Sequence, residues 1–542
     1  MSTPTESTKS HIIKPSTTIS SEFTTITEGK ATILTPKKDE VFYNPIQQFN
    51  RDLSIMIIRA FQQMRQDNAT TARKKKKLNG LKILEALSAS GLRSCRYGLE
   101  IPEATKIVAN DLSHDAVASI TKNIEHNGLT DKVVANQGDA IKFMASTSEK
   151  FHVVDLDPYG TAAPFIDSAI QCLEDGGLLL VTCTDAGVLA SAAYPEKCFS
   201  LYGGNNFGHN QENHEAGIRL ILNLVATTAA KYGKSITPLL SLSIDYYYRL
   251  AIVVRHSPIN VKKLSSQSGI VYSCTGCGTK QEQVLGVVND NKYGYAKVRK
   301  GMINDDGSCR YCSRSINVTG PMSMMDIQDA SFIERVKNMV NSVTIKSGEP
   351  KADKDKEVEE DECYGTTKRI HGMLSVAKSE LNGVFDIINL NAVSKLFKTP
   401  PMPLSHFANA ISNLGYHISL THVKANSVKT DAPQELVFKI FEAWLIESNK
   451  LYIKEIESKP EEEITEKMKE KVEKIKNKHN HCHNEIGNNI ITYLDTQNLD
   501  VEIDFETKTP ESDKLEKLRK SGMVLFQENP RKNWGPQSMA KK

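Results

Sequence analysis

Asp155-Leu156-Asp157-Pro158-Tyr159-Gly160 closes an apolar run with an acid, a proline and an aromatic, a set of groups that can act on an exocyclic amine. An amine conjugated to a purine ring is a poor nucleophile because its lone pair is delocalised. The Asp157 carboxylate and the Pro158 carbonyl can each accept one N–H, drawing the lone pair toward an incoming methyl and stabilising the charge that builds. Proline stiffens the turn. Tyr159 offers a ring to stack on a base turned out of its helix. Taken alone, these residues also suit a proline-terminated strand with a capping acid.

These groups need a strand end to hold them. Phe151–Leu156 is apolar and β-branched in its middle, as a strand ending in a carboxyl-end crevice should be. Similar short runs precede and follow it, at Lys82–Leu87, Lys106–Asp111, Val133–Ala135 and Gly177–Thr182. Five strands alternating with helices predict a doubly wound, Rossmann-like α/β sheet. The first strand feeds the small-residue loop Leu87–Ser94, where backbone N–H groups can approach a ligand at a helix start. Asp111, about twenty residues on, sits where a carboxylate commonly accepts ribose hydroxyls. Gln137-Gly138-Asp139-Ala140 follows the third strand, and Asp139 there could grip an adenine amino group or simply cap a helix. Together these turns outline an S-adenosylmethionine cleft.

Cys274-Thr275-Gly276-Cys277 and Cys309-Arg310-Tyr311-Cys312 are two paired thiol motifs, the spacing of a closed, structural Zn2+ site with four sulfur ligands. Cys95, Cys172, Cys183, Cys198, Cys363 and Cys482 lack such partners and read as buried thiols. His479, His481 and His483 surround Cys482 in a solvated stretch and could take metal adventitiously.

The chain has 542 residues, 39% hydrophobic and 25% charged, with a formal net charge of +3. This length suits more than one domain at about 150 residues each, and no run reaches the ~18 apolar residues of a membrane span. Ten cysteines without a secretory start argue for reduced thiols in an intracellular protein. With so small a net charge, a nucleic-acid surface must come from local clusters. Residues 1–30, rich in Ser and Thr, read as a disordered tail. As an organelle presequence this tail lacks arginines. Arg73–Lys77 suits a nuclear address, a phosphate patch or a solvated loop, and all three stay open. The expected domains are a methyltransferase domain over 31–265, a zinc-bearing insert over 266–320 and an α+β C-terminal domain over 321–542. Disordered insertions are expected near 346–362, which is acidic, and near 454–485, which could instead be an exposed helix.

Several motifs in combination resemble the tRNA guanine-26 N2-dimethyltransferases: Phe42-Tyr43-Asn44-Pro45, Asn50-Arg51-Asp52, Glu85 to Arg93, Asp157 to Gly160, His214 to Arg219 and Asn533-Trp534-Gly535-Pro536. The resemblance implies that Arg51, Arg93, Asp111, Asp139 and Ala140 bind S-adenosylmethionine, with Arg51 reaching its carboxylate. It implies that Asp157 is the catalytic acceptor, flanked by Pro158 and Tyr159, and that the C-terminal domain holds tRNA. By sequence alone Arg51 would be a surface arginine of an amphipathic helix. The expected protein is a monomer of the nucleus, with the mitochondrion as a second address, and without a membrane partner. Two competing readings are an amino methyltransferase acting on adenine in DNA or on protein glutamine, and a non-catalytic zinc-containing RNA-binding protein.

Overall fold

The computed structural model describes residues 23–36, 43–71, 78–208, 213–290, 292–299, 301–346, 364–460 and 463–525. The basic block at 73–77, the acidic run at 357–362, Phe42, Cys363 and the motif at 533–536 lie outside them. The chain begins with a hairpin, β1 (Phe23–Glu28) and β2 (Ala31–Pro36), and then helix α1 (Gln48–Thr71). The tail expected over 1–30 therefore gives way to a strand at Phe23. Alternate β2 residues, Ala31 and Ile33 among them, are fully buried. Its Thr content hid a half-buried strand that suits β-branched residues.

The main sheet comprises β3 (Leu81–Glu85), β4 (Ala104–Asp111), β5 (Val133–Gln137), β6 (Phe151–Leu156), β7 (Leu173–Cys183), β8 (Lys234–Ile244) and β9 (Tyr247–His256). The strand order is β5-β4-β3-β6-β7-β9-β8. The first five are the strands expected from the sequence, and they pair in parallel. The last two form an antiparallel hairpin whose return strand β9 inserts beside β7. Between β3 and β6 the chain reverses its direction of travel across the sheet, and such a switch point opens a crevice at the carboxyl ends of the strands.

Alternation along each strand divides the core in two. Ile83, Ile107, Val153, Leu178 and Leu180 join one apolar cluster, whereas Leu84, Val108, Val154, Leu156, Leu179 and Val181 join the other. Burial on both faces explains why these strands read as continuous apolar runs. The first cluster also contains Phe332, Ile333, Val336, Ile370 and Leu374, from the helices Ala330–Lys346 and Thr367–Ser379. The core of the sheet thus extends past residue 321, where the sequence had suggested a new domain.

A third cluster unites Cys274, Cys277, Cys309 and Cys312 with Phe397, Phe407, Phe438 and Phe441 of C-terminal helices. Within 454–485, where disorder was one expectation, the helix Glu466–Asn477 is formed and buries only Ile475. Its charged surface is laced by pairs such as Lys474–Glu470 at 2.6 Å, which support an exposed helix. Among the described residues, no helix is long and apolar enough to cross a membrane.

The candidate active site and thiol cluster

The crevice is built from the turns that follow β3, β4, β5 and β6. After β3 the chain runs through Ala89, in the left-handed region at φ 48°, and Gly91 at φ 75° before entering α2 (Leu92–Glu100). A Cβ at Gly91 would lie 3.2 Å from Ile120, so only glycine satisfies both the backbone and the packing. A non-glycine residue held at positive φ, as Ala89 is, often marks a functional turn. Asp111 ties this loop down: its Oδ2 accepts from the Ala89 N–H at 2.9 Å and its Oδ1 from the Ser113 N–H at 2.9 Å. Asp139 accepts from the Lys142 N–H at 3.0 Å, and so caps the helix that starts at Ala140. The ordinary capping alternative is therefore realised here. Asn110, which the sequence did not single out, donates to the carbonyls of Ala86 at 2.9 Å and Gly138 at 3.1 Å, stitching two of the turns together. Leu112 and Ile141, each adjacent to a turn residue, hold apolar side chains out to solvent.

Asp157, Pro158 and Tyr159 leave β6 at the switch point. Tyr159 is 79% exposed, and the Gly160 N–H behind it donates to Thr184 Oγ1 at 2.7 Å, anchoring the turn. Arg93 Nη2 is in close contact with Asp157 Oδ2, and Asn50 Nδ2 reaches the same oxygen at 3.4 Å. Both contacts fall on Oδ2, which leaves Oδ1 for an incoming N–H.

Beneath Asp157 lies a buried charge cluster. Asp155, two residues earlier on the same side of β6, accepts from Arg249 Nη1 at 2.7 Å, Arg249 Nη2 at 3.1 Å and the Tyr97 hydroxyl at 2.6 Å. Arg93 Nη1 lies 3.5 Å from Asp155 and donates to Ser54 Oγ at 3.1 Å, and Arg249 Nη2 donates to the same hydroxyl at 2.7 Å. Burial alone would raise the Asp155 pKa, but the Arg249 and Arg93 charges outweigh it and hold the carboxyl below its usual range. Glu85, also beside Arg93, is pushed up by burial to about 7. A desolvated ion pair with one partner removed typically costs about 3–5 kcal/mol. Arg249→Leu should therefore lower stability by about 3 kcal/mol, read from the urea midpoint. Thr182→Val, which removes one acceptor of Arg249, should cost about 1 kcal/mol.

Arg51 is buried rather than on the surface. Its Nε and Nη2 donate to the two Glu28 oxygens at 2.6 and 2.5 Å, and Nη2 also donates to the Asn44 carbonyl at 3.0 Å. Glu28 further pairs with Arg96 at 2.6 Å, and Arg96 with Asp52 at 2.7 Å. Of the residues tied by resemblance to the cofactor, Arg93 at the start of α2, Asp111 at the end of β4, and Asp139 and Ala140 at the start of the helix after β5 lie at the carboxyl ends of the strands. Arg51 turns Nε and Nη2 to Glu28 of the opening hairpin and to the Asn44 carbonyl. His214–Arg219 acts elsewhere: Glu215 meets Lys429 at 2.8 Å and Arg219 donates to the carbonyls of Ser323 and Met325. This motif joins the sheet to the C-terminal region.

The four paired cysteines are all buried and their sulfurs lie within 4.8 Å of one another. Cys274 and Cys312 Sγ are 3.3 Å apart, and Cys277 and Cys309 Sγ 3.7 Å apart. A tetrahedron with bonds of ~2.3 Å has edges of about 3.8 Å, so four thiolates in this arrangement fit one Zn2+. All four are free thiols. Cys95, Cys172, Cys183, Cys198 and Cys482 are buried singly. His481 and His483 contact each other edge to face, and among the described residues the cysteine quartet is the one grouping suited to a metal.

The family model for N2,N2-dimethylguanosine tRNA methyltransferase matches residues 21–442. The tRNA (guanine(26)-N(2))-dimethyltransferase, mitochondrial, of Saccharomyces cerevisiae is 37% identical, over 95% of this chain and 92% of its own length. The tRNA (guanine(26)-N(2))-dimethyltransferase of Schizosaccharomyces pombe is 36% identical over the same shares of the two chains. A solved structure of Trm1 from Pyrococcus horikoshii in complex with S-adenosyl-L-methionine superimposes with a TM-score of 0.62. It is 24% identical and covers 77% of this chain and 99% of its own, a likeness of fold. The chain belongs to the N2,N2-dimethylguanosine tRNA methyltransferase family.

Proposed function

We propose that the protein transfers methyl groups from S-adenosylmethionine to the exocyclic N2 of guanine 26 in tRNA, giving N2-methylguanosine and then N2,N2-dimethylguanosine. The observation that carries this reading is the placement of Asp157-Pro158-Tyr159 at the switch point, beside the β3 loop and Asp111, in a chain of this family. The relatives named for this activity match along nearly the whole chain, which favours it over the DNA, protein-glutamine and non-catalytic alternatives.

When bound, S-adenosylmethionine supplies an electrophilic methyl on a sulfonium. Arg51, Arg93, Asp111, Asp139 and Ala140 are our candidates to hold it, Arg51 held in place by Glu28 of the opening hairpin. Asp157 Oδ1 and the Pro158 carbonyl accept the two N–H groups of the guanine amine, raising its nucleophilicity. Arg93 and Asn50 orient the carboxylate through Oδ2. After transfer the nitrogen carries positive charge and sheds a proton, for which Asp157 is the adjacent acceptor. For the second transfer a single N–H remains, so one acceptor is enough. Tyr159 stacks on the extruded base.

We assign 31–265 to the methyltransferase unit, 266–320 to a zinc-bearing insert and 321–542 to a unit that holds tRNA and whose first two helices also complete the core of the sheet. We further propose a monomer that acts in the nucleus and the mitochondrion, the second address supported by the name of the budding-yeast relative. The test of the reaction is nucleoside mass spectrometry on unmodified tRNA transcripts carrying G or A at position 26. Dimethylguanosine from the first transcript alone is the expected result. Cofactor binding with no methylated guanosine from either would overturn the substrate.

A further inference from the structure

The hairpin Gly286–Asn289 and Lys292–Tyr295 projects from the insert that contains the cysteines. Tyr295 is 95% exposed and Tyr293 37% exposed. The two lie two residues apart on one strand and so share a face. Tyr295 pairs across the hairpin with Gly286, which has no side chain to cover the ring. A Cβ at Gly286 would lie 2.1 Å from Ser265 Oγ, so the residue opposite the ring stays glycine. Leu285 and Val298, just outside the hairpin, are also exposed.

The surroundings are basic. Residues 256–300 hold seven Lys and Arg against the two carboxylates Glu282 and Asp290, in a chain whose total formal charge is +3. Lys262 Nζ sits 5.8 Å from the centre of the Tyr293 ring. Among the described residues, no ion pair neutralises Lys262, Lys263, Lys292 or Lys297. The strap after the hairpin is fixed by Gln283 Oε1, which accepts from the Arg299 N–H at 2.7 Å, and by Gln281 Nε2, which donates to the Arg299 carbonyl at 3.0 Å. Exposed aromatic rings on a lysine-rich hairpin match a polyanion with exposed bases, since stacking tolerates any base and the cations meet phosphates.

We propose that this hairpin is a second docking surface for the tRNA, with Tyr295 and Tyr293 stacking on bases away from the methylated guanine and the four lysines meeting the backbone. The proposal rests on the reading of tRNA as substrate. The test uses the full-length, zinc-loaded protein with Tyr295→Ala, Tyr295→Phe and the double change Lys262→Ala with Lys263→Ala. Affinity for a tRNA transcript is titrated at several salt concentrations, beside cofactor affinity and the methylation rate at saturating tRNA. Tyr295→Ala should weaken tRNA binding about tenfold, with phenylalanine restoring it because the stacking ring is kept. The double lysine change should flatten the slope of log K against log salt by about 1–2. Cofactor affinity and the saturated rate should stay unchanged. Normal methylation by the wild type together with wild-type affinity and slope in the variants overturns the hairpin proposal alone. A wild-type protein without affinity for tRNA overturns both. Self-association that Tyr295→Ala abolishes, with tRNA binding untouched, assigns the surface to a protein contact and overturns it as well.

Discussion

Asp157→Asn should lower the rate of methyl transfer about 10³-fold while leaving cofactor binding within about threefold of wild type, within the range that a positioned proton acceptor contributes. Asparagine preserves the shape of the side chain and one acceptor oxygen. What it removes is the negative charge that stabilises a nitrogen becoming positive and the base that takes the departing proton. The fold should survive, because Arg93 keeps Asp155, Glu85 and Ser54 as partners once Asp157 is neutral. A single-turnover assay on the G26 transcript, paired with calorimetric titration of the cofactor and a melting curve, separates these effects. If the variant keeps more than a tenth of the rate at unchanged affinity, Asp157 is not the acceptor and the Pro158 carbonyl must suffice. If the rate and cofactor affinity fall together, the carboxylate acts mainly by placing Arg93.

The pairing of Asp157 Oδ2 with Arg93 and Asn50 was not legible in the sequence, although the carboxylate itself was. An acid followed by proline and an aromatic at the end of a β-branched run is a local pattern, and β6 occupies the residues Phe151–Leu156 that this apolar run predicts. The same holds for the five parallel strands and for Asp111 and Asp139, whose positions follow from strand ends. Partners far apart in the chain are another matter. Arg249 meets Asp155 across 94 residues and Ser54 across 195, and no local periodicity marks such a pair. Arg51 looked like a surface residue because its ligand, Glu28, sits on a Thr-rich hairpin that resembles a polar tail. The helices Ala330–Lys346 and Thr367–Ser379 lie beyond the cysteine pairs in sequence, yet they complete the first core. Local sequence does not tell which layer such helices cover.

The cysteine cluster leads to the other large effect. The insert is short and its hairpins are too small to fold on their own apolar surface, whereas thiolate ligation can supply the deficit, about 10 kcal/mol or more in isolated zinc modules at neutral pH. The cluster is also built into the C-terminal core: Asn489 donates to the Cys312 carbonyl at 3.1 Å, the Tyr311 hydroxyl donates to Glu435 at 2.9 Å, and the Tyr311 ring packs edge-on against Phe438 and Tyr493. Loss of the metal should therefore loosen the helices at 390–520 as well as the insert, and spare the parallel sheet, which has separate cores. The expected result is one Zn2+ per chain by elemental analysis, and none in Cys309→Ser. Stripping the ion with a strong chelator should expose the C-terminal region to limited proteolysis and weaken tRNA binding by at least tenfold, with cofactor affinity preserved. A chain purified without stoichiometric zinc that resists proteolysis as well as the zinc-reconstituted protein would show that the four thiols pack as an apolar cluster and need no ion. Retained zinc in Cys309→Ser would point instead to a ligand outside the quartet, with His479, His481 and His483 the next to be tested.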